Sequence, residues 1–421
     1  MPELALFLHD EFVGELTPAR RNRSSVTLTV DPAYQPPVNL TESFIPLPGA
    51  VPPVAAVSNF LGGYVPEGNH RVRMAAKRHI DADNLFELLT EFGGSIAGAV
   101  TLRRQDESRT YRPSYEPMNT GMLEKRLKQA LADSDQGIPD DSRSTLPGYQ
   151  PKILAARFQD DWVYPHGRAH STHILKPQVP ARPHRVFDEH YSHLLAGHMG
   201  LSGYKSELHS AGDTVFLAIE RFDREINGEQ ITLHHQEDLA QALSLDWQNT
   251  DVKFQEPSSP KDSKRASARG IGSLLDALPR GASLVEAWIK QLTYHVAIGN
   301  NDAHAKNVAL MHLPHGTELS PIYDALPNFF QEGLISWNLA LAIDGEFDHR
   351  RISVDSLLRE IESWHAMNGS RAETVVADTL KRFGAAIAKI DPPNNISPGL
   401  IEQLQWNLAR LLAGDEIGER P

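Results

Sequence analysis

The stretch "GNNDAHAKNVAL", Gly299 to Leu310, decides how the rest of the chain is read. Asp302 and Asn307 stand five positions apart in it with Lys306 between them, and "SPIYDAL" adds Asp324 seventeen residues past the asparagine. Two carboxylates and an amide so spaced are either surface decoration or a base with two ligands for a metal ion. Taken alone, D-x-x-x-x-N arises often by chance, and a polar loop with a capping Asn explains it equally well.

Context favours chemistry. In "SLVEAWIKQLTYHVAIGN" Val285, Trp288, Ile289, Leu292 and Val296 fall at i, i+3, i+4, i+7 and i+11, an amphipathic helix leading straight into the loop. After Asn307 come "VALMHL" and "ELSPIYD", a strand pair that carries Asp324 back. Phosphoryl transfer needs a carboxylate near the incoming hydroxyl, oxygen ligands for magnesium and cations on the phosphates. Protein kinases space their base Asp and metal-binding Asn five apart on one loop. On that pattern Asp302 is the base, Asn307 and Asp324 hold the metal, and Lys306 can touch a transferring phosphate. His304 reads first as a packed imidazole holding the loop, and stands with Asn307 and Asp324 beside the nucleotide.

The whole chain sets bounds. At 421 residues, 40% hydrophobic and 23% charged, it has the composition of a soluble globular protein of two or three domains. No apolar run reaches membrane-span length, and "MPELALFLHDEF" lacks the basic start of a signal peptide. The absence of cysteine excludes disulfides, thiolate zinc sites and cysteine nucleophiles, and fits a cytoplasmic setting. A net charge of −13 repels nucleic acid, so DNA would be reached only through a local basic patch or a partner. The basic run "PKDSKRASARG", Pro260 to Gly270, reads as a solvated flexible loop, with a target-binding or activation loop as the alternative.

Upstream, strand signals cluster: "KILAARF" and "WVYP" around a turn, "THILKP", then "SELHSA" and "TVFLAIERF" as a second hairpin. "FDEHYSHLLAGHMG" is a helix ending at Gly200. The phosphate-loop candidate is "STLPGYQPK", Ser144 to Lys152; G-x-x-x-x-G-K-[ST] is absent, which disfavours a P-loop fold. Lys176, at the end of an apolar strand, is the candidate cation for the phosphates, and Glu189 its candidate ion-pair partner. Backbone groups of Glu220, Arg221 and Phe222 stand where an adenine edge would find its donor and acceptor. His166, His170 and His173 have helical spacing in a segment that is not helical, so zinc ligation is disfavoured. G-x-S-x-G is absent as well, which argues against an α/β-hydrolase.

These separated motifs, in this order, resemble the HipA family of serine/threonine-kinase toxins from type II toxin–antitoxin pairs. "STLPGYQPK" is similar to the family's S-x-x-G-x-Q-x-K loop, "THILKP" to its T-H-I-x-K strand, and "ERFDR" and "QEDLAQALS" to its E-R-F-D-R and Q-E-D segments. "NDAHAKN" and "PIYDAL" resemble its catalytic loop and metal-binding Y-D, and "NFLGGYVPEGNHR" and "GGSIAGAV" its N-terminal lobe.

The resemblance implies an ATP- and Mg2+-dependent protein kinase. Asp302 is then the catalytic base, and Asn307 and Asp324 the magnesium ligands. Lys176 lies on the phosphates, Pro147, Gly148, Tyr149, Gln150, Pro151 and Lys152 form the loop around them, and Glu220 to Phe222 the hinge. It implies autophosphorylation within residues 144–152, at a position held here by Thr145 with Ser144 beside it. It further implies a small HipB-like helix-turn-helix antitoxin that brings the toxin to operator DNA, and an aminoacyl-tRNA synthetase as target. A small-molecule kinase of the aminoglycoside or sugar type and a non-catalytic co-repressor are the alternatives.

The expected fold is α+β, two-lobed and protein-kinase-like, with a strand-rich N-terminal lobe and an all-helical C-terminal lobe. The expected domains are an N-terminal subdomain (1–104), a polar connector with one helix (105–142), a nucleotide-binding strand-rich lobe (143–235) and a helical lobe (236–421).

Overall fold

The computed structural model of the chain describes residues 3–20, 22–104, 113–133, 150–228, 230–328 and 337–421. Contacts divide the chain into two units. The first is Met1–Pro177 with His209–Thr250 and Leu310–Gly316; the second is Gln178–Leu208 with Asp251–Ala309 and Thr317–Pro421. Among the described residues no helix is long and apolar enough to cross a membrane.

In the first unit β1 (Leu4–Leu8), β2 (Glu11–Pro18), β3 (Val26–Val30) and β4 (Val100–Arg104) form an antiparallel sheet in the order β3-β2-β1-β4. The alternation of "VTLTV" turns Val26, Leu28 and Val30 to one buried face and leaves Thr29 exposed. Between β3 and β4 come α1 (Val54–Gly62), α2 (Gly68–Lys77) and α3 (Leu85–Phe92). Asn84 starts α3 by accepting the Glu87 N–H on its side chain. Phe60, Leu61, Leu88 and Leu89 complete one core with the sheet residues, each burial contributing about 1.5–3 kcal/mol.

A second, six-stranded sheet comprises β5 (Ser114–Pro117), β6 (Ile153–Phe158), β7 (Asp161–His166), β8 (His173–Pro177), β9 (Ser206–Ala211) and β10 (Thr214–Glu220), ordered β5-β7-β6-β8-β10-β9. α4 (Thr120–Asp133) precedes β6, and α5 (Arg185–His198), a second-unit helix, lies between β8 and β9 in the chain. Both expected hairpins are present, with Phe158 opposite Asp161 in the first.

The described part of the polar connector differs from expectation. β5 pairs with β7, and α4 buries Leu123, Leu127 and Ala130 in the core with Ile153, Leu175 and Phe216. The i, i+4, i+7 stripe of α4 makes it part of this body, while the short strand "SYEP" has no apolar alternation to announce it. β11 (Arg224–Asn227) and β12 (Gln230–Leu233) form a ribbon. β13 (His235–Asp238) then enters the one-turn helix α6 (Leu239–Ala242) through a capping box between Asp238 and Gln241.

The second unit is built on helices α7 (Ala268–Ala277) and α8 (Gly281–Ile298), followed in the chain by β14 (Ala309–Leu313) and β15 (Gly316–Leu319). It continues with the ribbon β16 (Asn338–Ile343) and β17 (Glu346–Asp348), then α9 (Val354–Ser363), α10 (Gly369–Lys389) and α11 (Leu400–Leu412). The described residues of the span expected as all-helical, 236–421, thus include β14 and β15 as well as this ribbon. α8 is the unit's axis and packs on α7, α10 and α11. Its stripe residues Val285, Trp288, Ile289, Leu292 and Val296 are all buried, as are Val376, Leu380, Phe383 and Ile387 of α10. Tyr294 stands edge-on to Phe383 with ring centroids 5.8 Å apart, and its hydroxyl meets Ser192 of α5 at 3.0 Å. The basic run 260–270 is held by turns: Ser267 caps α7, Ala266 N–H donates to the Val252 carbonyl, and Arg265 donates to the Asp251 carbonyl.

Candidate active site

α8 ends because Gly299 takes the left-handed conformation, φ 72°, and returns its N–H to the last turn. The glycine's freedom is needed there, and it swings the chain into the loop that carries Asp302. Asn300 and Asp302 then form an Asx turn, the Asp302 N–H donating to Asn300 Oδ1 at 3.0 Å. The loop closes on itself. His304 N–H donates to the Asp302 carbonyl and Asn307 N–H to the His304 carbonyl, each at 2.8 Å. Asn307 Nδ2 also donates to the Asp302 carbonyl, at 2.8 Å. That bond fixes the amide's direction and leaves its oxygen as the end available to a cation.

The two side chains differ in exposure. The Asp302 side chain is 46% exposed, open to an incoming group, whereas Asn307 is 8% exposed and held by the loop. His304 is buried, its ring edge-on to Phe254 at 4.9 Å and its Nε2 3.8 Å from Asp302 Oδ1. It is the packed imidazole the sequence suggested. The Lys253 carbonyl accepts the Ala305 N–H at 3.2 Å, so the segment ahead of the basic run backs the loop.

Asp324 is returned to this loop by a series of bonds. Ser320 N–H donates to the Ala309 carbonyl at 2.8 Å, and Gln291 of α8 donates to the Ser320 carbonyl at 2.7 Å. Tyr323 Oη donates to the Lys306 carbonyl at 2.8 Å. Asp324 itself is exposed and has φ 52°, a left-handed conformation that Asp tolerates better than most residues and that collects at functional sites. The buried hydroxyl of Tyr204 is pushed up by burial and then by the carboxylates of Glu189 and Asp324. The second unit thus gathers Asp302, His304, Lys306, Asn307, Asp324 and Glu189.

The first unit holds the other candidates. Lys176 sits on β8 opposite Leu217 and is buried, as is Lys152 just before β6; Gln150 and Pro151 precede it. Glu220 ends β10 opposite His173. Ser144, Thr145, Pro147, Gly148 and Tyr149 lie outside the described residues.

Arg221 has partners of its own in the fold. Its N–H donates to the Thr172 carbonyl and its own carbonyl accepts the Arg224 N–H, so both backbone groups serve the fold. Its guanidinium is buried on Asp223, with Nε–Oδ1 3.0 Å and Nη2–Oδ2 2.8 Å. Arg224 donates to the carbonyls of Ile96 and Gly98 at 2.7 Å each, and Gly98 N–H returns to Asp223 at 2.7 Å. Burial works against the Asp223 carboxylate, but the two guanidiniums hold it below the ordinary range; burial and Arg221 bring Arg224 down to about 9. "RFDR" is therefore a clamp on residues 96–98.

The donor set decides which ion fits. Among the described residues no group of three or more His, Cys, Asp or Glu side chains gathers as a metal site. One amide oxygen and one carboxylate suit a hard cation that completes its shell with water and phosphate oxygens, as magnesium does. Two contributors escaped the sequence reading, Asn300 and Tyr323. The signal for the first was present, an Asn two residues before an Asp at a helix end; a Tyr hydroxyl aimed at a distant carbonyl leaves no local pattern.

Comparison with known proteins bears on the same segments. The HipA N-terminal domain model matches residues 4–103 and the HipA-like C-terminal domain model matches residues 144–387. A putative kinase Y4mE of Sinorhizobium fredii is 29% identical over 287 residues, covering 63% of each chain. The serine/threonine-protein kinase toxin HipA of Shewanella oneidensis is 26% identical over 312 residues, covering 70% of this chain and 68% of that one. The alignment thus spans 63% of the first relative's length. Among solved structures, HipA from the Shewanella oneidensis complex of HipA, HipB and operator DNA superposes with TM-score 0.77 and 22% identity, over 96% of this chain and 95% of that one. The fold is accordingly α+β and that of HipA.

Proposed function

The chain belongs to the HipA family, and from that premise we propose that it is the serine/threonine protein kinase of a type II toxin–antitoxin pair. The hydroxyl of a protein serine or threonine attacks the γ-phosphorus of ATP; its proton passes to Asp302, and the bond to ADP breaks. Asn307 and Asp324 would hold Mg2+, which would supply neutralisation of phosphate charge. Lys306 faces the transferring phosphate, and Lys176 the phosphates of the bound nucleotide. As the family resemblance implies, residues 147–152 are assigned to those phosphates and the backbone of Glu220, Arg221 and Phe222 to the adenine.

The observation that carries the proposal is the bonded loop: Asn307 Nδ2 on the Asp302 carbonyl at 2.8 Å, with Tyr323 on the Lys306 carbonyl at 2.8 Å. A base, an amide oxygen and a carboxylate held on one backbone network are the preorganised groups this chemistry requires.

The finer proposals follow from family membership. Thr145 or Ser144 is autophosphorylated and regulates the enzyme. The target is a translation component, an aminoacyl-tRNA synthetase, which sets the protein in the cytoplasm. A HipB-like antitoxin supplies the positive charge that an acidic chain of −13 lacks for operator DNA, and together they repress their operon. Residues 1–104 form the N-terminal subdomain, 143–235 the nucleotide-binding lobe and 236–421 the catalytic lobe.

Phosphopeptide mapping after expression, wild type beside Asp302→Ala, tests this. New phosphoserine or phosphothreonine on one synthetase, seen with the wild type alone, is the expected outcome; identical phosphoproteomes overturn it.

A further inference from the structure

Asn300 lies just ahead of the loop and has no part in the chemistry described so far. It is 1% exposed, and both ends of its amide are bonded. Oδ1 accepts the Asp302 N–H at 3.0 Å and the Asn328 Nδ2–H at 3.3 Å. Nδ2 lies 3.1 Å from His295 Nδ1, and the Asn300 N–H donates to the His295 carbonyl at 2.9 Å. The Asp302 N–H can only donate, so Asn300 Oδ1 faces it and Nδ2 is the end turned to His295 Nδ1, which accepts. The amide orientation is thereby fixed, with the oxygen facing both loop segments.

These contacts join three pieces of chain. His295 belongs to the last turn of α8, a rigid element that is buried along its length. Asp302 is the proposed base. Asn328 lies four residues past Asp324, while Tyr323, one residue before it, is tied to Lys306. The Asp324 segment is therefore pinned on both sides, and Asn300 supplies the later pin and the base's pin together.

We infer that Asn300 is a positioning residue that sets Asp302 and Asp324 from the end of α8 through one buried amide. This rests on the kinase reading of the same loop. Losing the amide lets both carboxylates shift, and displacements near 1 Å cost on the order of 10²-fold in rate. Nucleotide affinity draws mainly on first-unit groups (Lys152, Lys176, Glu220 and Phe222) and is spared.

The experiment measures kcat, KM for ATP and the half-saturating magnesium concentration for wild type and Asn300→Ala, with thermal unfolding alongside. The expected result is kcat down by roughly 10²-fold, magnesium half-saturation raised severalfold and KM for ATP within about twofold of wild type. A lowered Tm with kcat and magnesium dependence unchanged overturns the inference, because it describes a merely structural amide. A wild type that transfers no phosphate removes the kinase reading, and this inference with it. Should Asn300→Ala fail to fold, Asn328→Ala, which removes one arm at a half-buried side chain, is judged by magnesium half-saturation: raised supports the inference, unchanged overturns it.

Discussion

The Tyr323 hydroxyl donates to the Lys306 carbonyl at 2.8 Å, and this bond sets the backbone before Asp324 beside the loop that carries Asp302 and Asn307. Residues seventeen apart in sequence are neighbours through one phenol. Tyr323→Phe removes the bond and keeps the ring. A single hydrogen bond contributes about 0.5–1.5 kcal/mol, so phosphoryl transfer should fall by about tenfold or less, with a higher magnesium requirement. A magnesium titration of the rate checks this; a lost fold with no change in rate per folded molecule speaks against it.

Asn307→Ala and Asp324→Ala each remove one oxygen from the proposed metal pair. The half-saturating magnesium concentration should rise on the order of tenfold or more, since outer-shell losses alone already cost 10–100-fold in metal affinity. High magnesium should recover part of the rate in either variant. Curves that superpose on the wild type would contradict the assignment.

Asp223 sits between two buried guanidiniums, 2.8 Å from Arg221 Nη2 and 3.1 Å from Arg224 Nη1. Asp223→Ala leaves both cations without their counter-ion in the interior, a change that costs about 3–5 kcal/mol. Urea unfolding should show a midpoint lowered accordingly. A midpoint within experimental error of the wild type would refute the clamp.

Acid should weaken the fold by forcing charge onto buried imidazoles. Burial holds His235 at about 3, and His295 and His349 at about 4, against an ordinary 6.5. The unfolded chain binds a proton at each ring near pH 6.5, whereas the folded chain stays neutral until about pH 4. Between those limits the unfolded state holds more protons, so stability drops as pH falls. Tm should decline from about pH 7.5 to about pH 5, and a flat profile across that range contradicts the account.

Much of this was legible in the chain because the signals are local. The stripe from Val285 to Val296 announced α8, and Asp302, Asn307 and Asp324 announced the loop after it. The strands around "QDD" and "GD" declared their hairpins by composition. What stayed hidden is non-local. "SYEP" becomes a strand only because β7 offers it an edge, and "RFDR" reads as a polar turn until Ile96 and Gly98 bring their carbonyls to Arg224. Nothing in the neighbours of Arg221 reveals that Thr172, some fifty residues earlier, takes its N–H.

The most direct test of the central claim is the rate of γ-phosphate transfer from labelled ATP to protein serine or threonine by the purified chain, with magnesium, beside Asp302→Ala. Base and positioning act together, so the variant should lose several orders of magnitude while still binding nucleotide. Equal rates for the two proteins, or no transfer by the wild type to itself or to a lysate, would contradict it.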